Sequence, residues 1–192
     1  MQLSGLPNVP IDIESAVIRK VMNENIDNGH GHNLTAEELK KLPRSLNRPI
    51  AVLRSNARST NPDGYIVLTE LVEEDILTGE KKPVVASLFL RDVRDGLQIT
   101  RITSVYGKWK SQINNALQHD PIKYWDKEKG PQFLTSLRLQ LPTRLRSDAN
   151  LRRANIKTNE DLSQDGLRDD APLYSTAPAA LAAAYSVPPW EL

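Results

Sequence analysis

Apolar residues change their period several times along this chain, and each change marks a new element. Ile13, Val17, Ile18, Val21 and Met22 recur at three- and four-residue spacing, which predicts a helix over residues 12–26. Asn28-Gly-His-Gly-His32 then breaks the pattern. The second helix has a sharper start. Thr35 and Glu38 stand at capping-box spacing, and Leu34 and Leu39 are placed as a hydrophobic staple. Because a proline disfavours helical backbone at the residue before it, this helix is expected to stop ahead of Pro43.

Strand-like runs follow at 49–54, 65–72, 84–91 and 97–103. The turn signals Asn61-Pro-Asp-Gly64, Thr78-Gly79 and Asp95-Gly96 separate them, as an antiparallel meander requires. Val105, Trp109, Ile113 and Leu117 recur every four residues, predicting a helix over 105–118 with one buried stripe that includes Trp109. A short strand at 122–125 and a helix at 127–137 complete the compact part. From Pro142 onward no apolar period continues, and the Ala/Pro-rich stretch 177–189 reads as a linker or docking peptide. No internal repeat is present. The class is α+β.

Composition adds limits. The chain has 192 residues, 39% of them hydrophobic, enough for one core. Thirteen prolines and few aromatics point to a non-globular portion. The absence of cysteine removes thiol nucleophiles, disulfides and cysteine-ligated zinc. No apolar run approaches the roughly 20 residues that span a bilayer, and the N-terminus lacks a basic-then-apolar signal segment, so a soluble protein with no membrane partner is expected.

A net charge of +1 conceals an asymmetry. Residues 101–157 carry 12 Lys and Arg against 4 Asp and Glu, whereas residues 158–192 carry 1 against 6. A basic stretch before an acidic end fits polyanion binding with a segment able to shield it; solvated surface charge is the plainer reading. Asp161, Asp165, Asp169 and Asp170 would then lie across the basic site as a mimic of that polyanion, or belong to a simple tether.

The candidate chemistry centres on Arg101-Ile-Thr-Ser-Val-Tyr-Gly-Lys-Trp-Lys110, where strand-like sequence passes into a helical pattern. Ser104 is placed to cap the incoming helix, whose free N–H groups and positive dipole end favour an anion. Thr103, Tyr106 and Lys108 add donors at the same seam. A second idea uses Glu70, Glu73, Glu74 and Asp75, either as a general base at a strand end or as a solvated edge that discourages aggregation. A Walker loop, a dinucleotide fingerprint and a Gly-x-Ser-x-Gly elbow are all missing, which removes P-loop hydrolysis and serine hydrolase chemistry.

Four strings in order, His32-Asn-Leu-Thr-Ala-Glu-Glu-Leu-Lys-Lys-Leu-Pro43, Leu46-Asn-Arg-Pro-Ile-Ala-Val-Leu-Arg-Ser55, Ile102-Thr-Ser-Val-Tyr-Gly-Lys108 and Tyr124-Trp-Asp-Lys127, resemble the MuF C-terminal domain of phage head-associated proteins, polyvalent proteins and polymorphic toxins. Asn155-Ile-Lys-Thr-Asn-Glu-Asp-Leu162 resembles the segment that often follows it. The resemblance implies a division into an N-terminal helical extension (1–29), the family domain (30–142) and a basic-then-acidic, largely irregular tail (143–192). It also implies N-terminal helices packed on an antiparallel sheet, similar to the barnase, EndoU, colicin and RelE-type nucleases, which cut RNA without metal or cofactor.

Under that resemblance the expected reaction is 2′-hydroxyl attack giving a 2′,3′-cyclic phosphate and a 5′-hydroxyl, which needs a base, an acid and cations. His32 is the favoured acid or base, with a loop or capping role as its plain alternative. His30 belongs to the Gly-rich connection, and His119 is placed to interact with a helix C-terminus. A His30–His32 metal pair lacks adequate further ligands. Lys108 and Arg58 are the expected charge stabilisers, with Ser104 and Tyr106 positioning phosphate or ribose, and Thr103, Tyr124, Lys127 and Arg144 binding substrate. Ser104 as a mere cap and Tyr106 and Tyr124 as packing residues stay open beside this.

The substrate would be tRNA or translating mRNA, the partners an immunity protein or a phage head protein, and the location the bacterial cytoplasm of a target cell or the virion. A different class is a phage structural or interaction module without catalysis. A third is a toxin acting on a nicotinamide dinucleotide.

Overall fold

Strand-forming apolar runs separated by turn residues build three long strands into a meander, β3 (Tyr65–Glu74), β4 (Lys81–Arg94) and β5 (Leu97–Gly107). The computed structural model describes residues 10–22, 34–55, 64–94, 96–154 and 156–164. Around the meander stand β1 (Ile11–Ile13), α1 (Ser15–Val21), α2 (Ala36–Asn47), β2 (Ala51–Arg54), α3 (Lys110–His119), β6 (Ile122–Trp125), α4 (Lys129–Ser136), a 3-10 turn (Thr143–Leu145), α5 (Asp148–Arg153), β7 (Lys157–Thr158) and α6 (Asn159–Gln164). The strands form one sheet in the order β1-β5-β4-β3-β2-β6-β7. Its five central strands are antiparallel, while the short edge strands β1 and β7 pair parallel with β5 and β6. The α+β class holds.

Both faces of the sheet are covered. On one face, Val21 of α1 and Leu42 and Leu46 of α2 pack with Val52, Val67, Val84, Ala86, Leu88 and Tyr124. On the other, Ile113, Ala116 and Leu117 of α3, Leu134 of α4 and Leu151 of α5 pack with Ala51, Leu53, Leu68, Val85 and Trp125. Each large aliphatic side chain buried this way contributes roughly 1.5–3 kcal/mol. Leu68 and Val67, or Val85 and Ala86, go to opposite faces because neighbouring strand residues point in opposite directions.

Local signals were realised where they act over a few residues. Thr35 caps α2, its hydroxyl accepting from the Glu38 N–H while the Glu38 carboxylate accepts from the Thr35 N–H. The β3–β4 turn is an Asx turn, in which Asp75 Oδ1 accepts from the N–H groups of Leu77 and Thr78 and from the Thr78 hydroxyl. Gly79, at φ 67°, supplies the left-handed residue that closes it.

Four boundaries differ from expectation. The helix expected over 12–26 is preceded by β1, because Ile11, Asp12 and Ile13 find ladder partners in Thr100, Arg101 and Ile102; α1 itself is Ser15–Val21. Helix α2 runs through Pro43 to Asn47. Losing that N–H costs about 3 kcal/mol, which burial of Leu42 just before the proline and of Leu46 beyond it offsets. The helix expected from Val105 begins only at Lys110, since Val105, Tyr106 and Gly107 pair with Ala86, Val85 and Val84 as the last turns of strand. Past Pro142 the chain packs back, with Leu145, Leu151 and Ile156 buried in the second core. Their spacings of six and five match neither the helical nor the strand period. Residues 165–192, with Asp165, Asp169 and Asp170, lie outside the described residues. Among the described residues no helix is long and apolar enough to cross a membrane.

Candidate functional site

The seam at the end of β5 is organised by strand geometry rather than by a helix cap. Ser104 pairs with Ser87 within the sheet, so it does not cap α3; the residue before that helix is Trp109, which makes no side-chain capping bond. A bulge absorbs Thr103, whose hydroxyl donates to the Ser87 carbonyl at 3.3 Å. The extra residue lets Ile102 and Val105, three apart, enter the same core. Tyr106 points the other way and packs against the α3 side.

The anion position expected at this seam is taken by the protein's own acid. Glu73, only 2% exposed, accepts a hydrogen bond from the Gly107 N–H. Its neighbour across the ladder, Lys82, is buried as well, ion-paired with Asp75 and held 3.8 Å from the centroid of the Trp109 ring. The Lys82 ammonium and the Thr78 N–H hold the Asp75 carboxyl down at about 2. Glu70 and Glu74 face solvent, while Glu73 and Asp75 are turned inward, so the expected acidic edge is split between two environments. Trp109, expected in the core, is 40% exposed.

Lys108 follows directly. Its N–H donates to the Pro83 carbonyl, which ties the chain to β4. Burial pushes its amine below the ordinary lysine value, and the Asp120 carboxylate partly opposes that shift. The same Asp120 acts on Arg144, whose guanidinium is likewise lowered by burial. Arg144 donates to three carbonyls at the end of α3, Leu117 at 2.7 Å, Ala116 at 3.2 Å and Asp120 at 2.7 Å. The Leu117 carbonyl is one that the helix end leaves over, since Pro121 has no N–H, whereas Ala116 also accepts from the Asp120 N–H. Beside them opens a cleft of about 260 Å³ lined by Gln118, Gln140, Leu141, Pro142, Thr143, Arg144 and Arg146. His119, exposed, is the last residue of α3.

Asp120 thus acts on both Lys108, just past β5, and Arg144, in the 3-10 turn. The sheet separates others. Tyr124 is 3% exposed in the core under α1 and α2, on the face opposite Tyr106. Lys127 is fastened to Asp148 at 2.9 Å and Glu160 at 2.7 Å, contacts that raise its pKa. Between β5 and β6 lie β4, β3 and β2, so the two strands are about 19 Å apart at the usual ladder spacing. His32 and Arg58 lie outside the described residues, as does His30. Among the described residues no group of three or more His, Asp or Glu side chains is placed to hold a metal ion.

Sequence reasoning missed Asp120, Gln118, Gln140 and Thr143, which carry no motif; of the residues lining the cleft only Arg144 stood out, as a substrate-binding candidate in the basic stretch. No curated protein and no solved structure matches this chain. The phage MuF C-terminal domain family matches residues 24–132, a span holding α2, β2 to β6 and α3; that is more than half of the chain, which belongs to this family.

Proposed function

We propose that this MuF C-terminal domain engages RNA at the Lys108–Arg144 neighbourhood and cuts it by 2′-hydroxyl attack, as a phage- or toxin-associated ribonuclease. The observation that carries this reading is that Asp120 acts both on a desolvated lysine, Lys108, and on Arg144, which lines a cleft together with Arg146. Arginine grips phosphate through two donors, and a lysine with a lowered pKa gives up its proton more readily. In the proposed step a base, His32 in this reading, removes the 2′-hydroxyl proton. The 2′-oxygen then attacks phosphorus, and the 5′-oxygen departs with a proton from Lys108. A 2′,3′-cyclic phosphate and a 5′-hydroxyl remain.

One observation favours a second reading, an interaction module of a phage particle without catalysis. Glu73 fills the anion position at the β5 seam, and Arg144 spends three donors on α3 carbonyls. The two readings part on one assay. Incubated with total RNA in chelator, the wild type should yield 2′,3′-cyclic ends, and Lys108→Ala and His32→Ala should lose them. RNA binding without cyclic ends from the wild type would reject the nuclease and leave the module. Assaying a nicotinamide dinucleotide in parallel exposes a toxin of the third kind.

A further inference from the structure

An indole is usually put to use in a core, and the four-residue spacing of Trp109 with Ile113 and Leu117 promised that here. The structure instead leaves it 40% exposed, next to the end of β5. Its position is nonetheless held. The Lys82 ammonium lies 3.8 Å from the ring centroid, and Lys82 is itself buried and tied to Asp75. Asp75 is locked by three hydrogen bonds in its turn. The backbone before the ring is pinned twice, by Glu73 on the Gly107 N–H and by the Pro83 carbonyl on the Lys108 N–H at 2.9 Å. An exposed aromatic fixed from behind has little ordering cost left when a flat ligand arrives.

Charge says which ligand. The ring is flanked in sequence by Lys108 and Lys110, and the contact of Lys110 with Glu80 is a loose 3.8 Å. A cation behind one face of the indole, with cations on both sides of it in the chain, suits an aromatic group carried on a polyanion. The geometry points to Trp109 as a stacking platform for one unpaired base of single-stranded RNA, with Lys108 and Lys110 meeting the adjacent phosphates. This rests on the reading of the chain as an RNA-engaging domain and names the form of RNA it takes. Stacking accepts any base but demands that it be unpaired, so the site selects single strands and not sequence.

The test measures binding apart from cleavage. Full-length protein is titrated, in chelator and at several salt concentrations, into a labelled 2′-O-methyl oligouridine, which has no nucleophilic hydroxyl. Trp109→Ala should weaken affinity about tenfold or more, while the slope of affinity against salt stays unchanged because no charge is removed. Trp109→Phe should keep most of the affinity. A companion measurement needs no substitution: an abasic strand of equal length should bind the wild type about tenfold more weakly than the oligouridine. Equal binding of the two strands by the wild type overturns the proposal, and so does unaltered affinity in Trp109→Ala. Self-association that disappears in Trp109→Ala with RNA affinity intact assigns the patch to a second copy and also overturns it. Absence of any RNA binding by the wild type sinks this proposal and the function it rests on, whereas binding without cleavage sinks only the nuclease.

Discussion

Glu73 and Gly107, 34 residues apart, meet at the end of the sheet, where the glutamate carboxylate accepts from the glycine N–H. The approach is too close for any side chain at 107. A Cβ there would stand 2.9 Å from the Lys82 Cβ and 3.0 Å from the Glu73 Cβ, and would run into the Glu73 carboxylate. The end of the family-like string Ile102-Thr-Ser-Val-Tyr-Gly-Lys108 thus has a packing reason for its glycine.

Gly107→Ala should accordingly destabilise the fold by about 1–3 kcal/mol, the usual range for overpacking. Urea unfolding of the two proteins measures it. An unchanged midpoint would show that Glu73 moves aside freely and that the contact does not organise the seam.

Asp75 should make stability pH-dependent at the acid end. Its carboxyl is depressed to about 2 in the folded chain from an ordinary value of 3.8, so its contribution is fully present above that ordinary value and is lost as pH falls toward 2. The stability gap between wild type and Asp75→Asn should therefore narrow across that interval. A gap that stays constant with pH would mean that the folded chain does not depress the Asp75 carboxyl.

Arg144 is expected to matter for folding as well as for any substrate. Arg144→Ala removes its hydrogen bonds to three carbonyls at the end of α3, of which Ala116 keeps the Asp120 N–H, and should cost about 1–3 kcal/mol. Arg144→Lys should recover only part of that, because an ammonium lacks the planar fork that reaches all three. Thermal unfolding decides; full recovery by lysine would show that charge alone suffices.

Lys108 should trade stability for function. Burial lowers its pKa, so between the folded value and the ordinary 10.5 the unfolded chain holds more protons, and stability rises with pH through that window. Lys108→Met removes the desolvated charge and should raise the unfolding midpoint at neutral pH while abolishing cyclic-phosphate formation. A lower midpoint in the variant would contradict the burial cost.

Legibility in the sequence followed the range of each interaction. The Thr35–Glu38 box, the strands expected at 65–72, 84–91 and 97–103 and the strand at 122–125 were readable because capping, strand-forming composition and turn chemistry act over a handful of neighbouring residues. The Val105 to Leu117 stripe misled for a physical reason. Val105 satisfies the four-residue period by coincidence, being buried from a strand, while Ile113 and Leu117 are buried from α3. The site was read in part. Lys108 and Arg144 were singled out, but nothing near either residue announced Asp120, which acts on both.

Consecutive residues by themselves determined the α+β class, the order of the main elements and membership in the phage MuF C-terminal family, since periodicity and motif are properties of short stretches. Tertiary structure alone decided where each polar group found its partner: Glu73 on Gly107, Lys82 behind Trp109, Arg144 on the carbonyls of α3, and Tyr124 turned away from Tyr106. Those pairings depend on strand order, register and a one-residue bulge at Thr103, and a shift of one residue sends a side chain to the opposite face of the sheet.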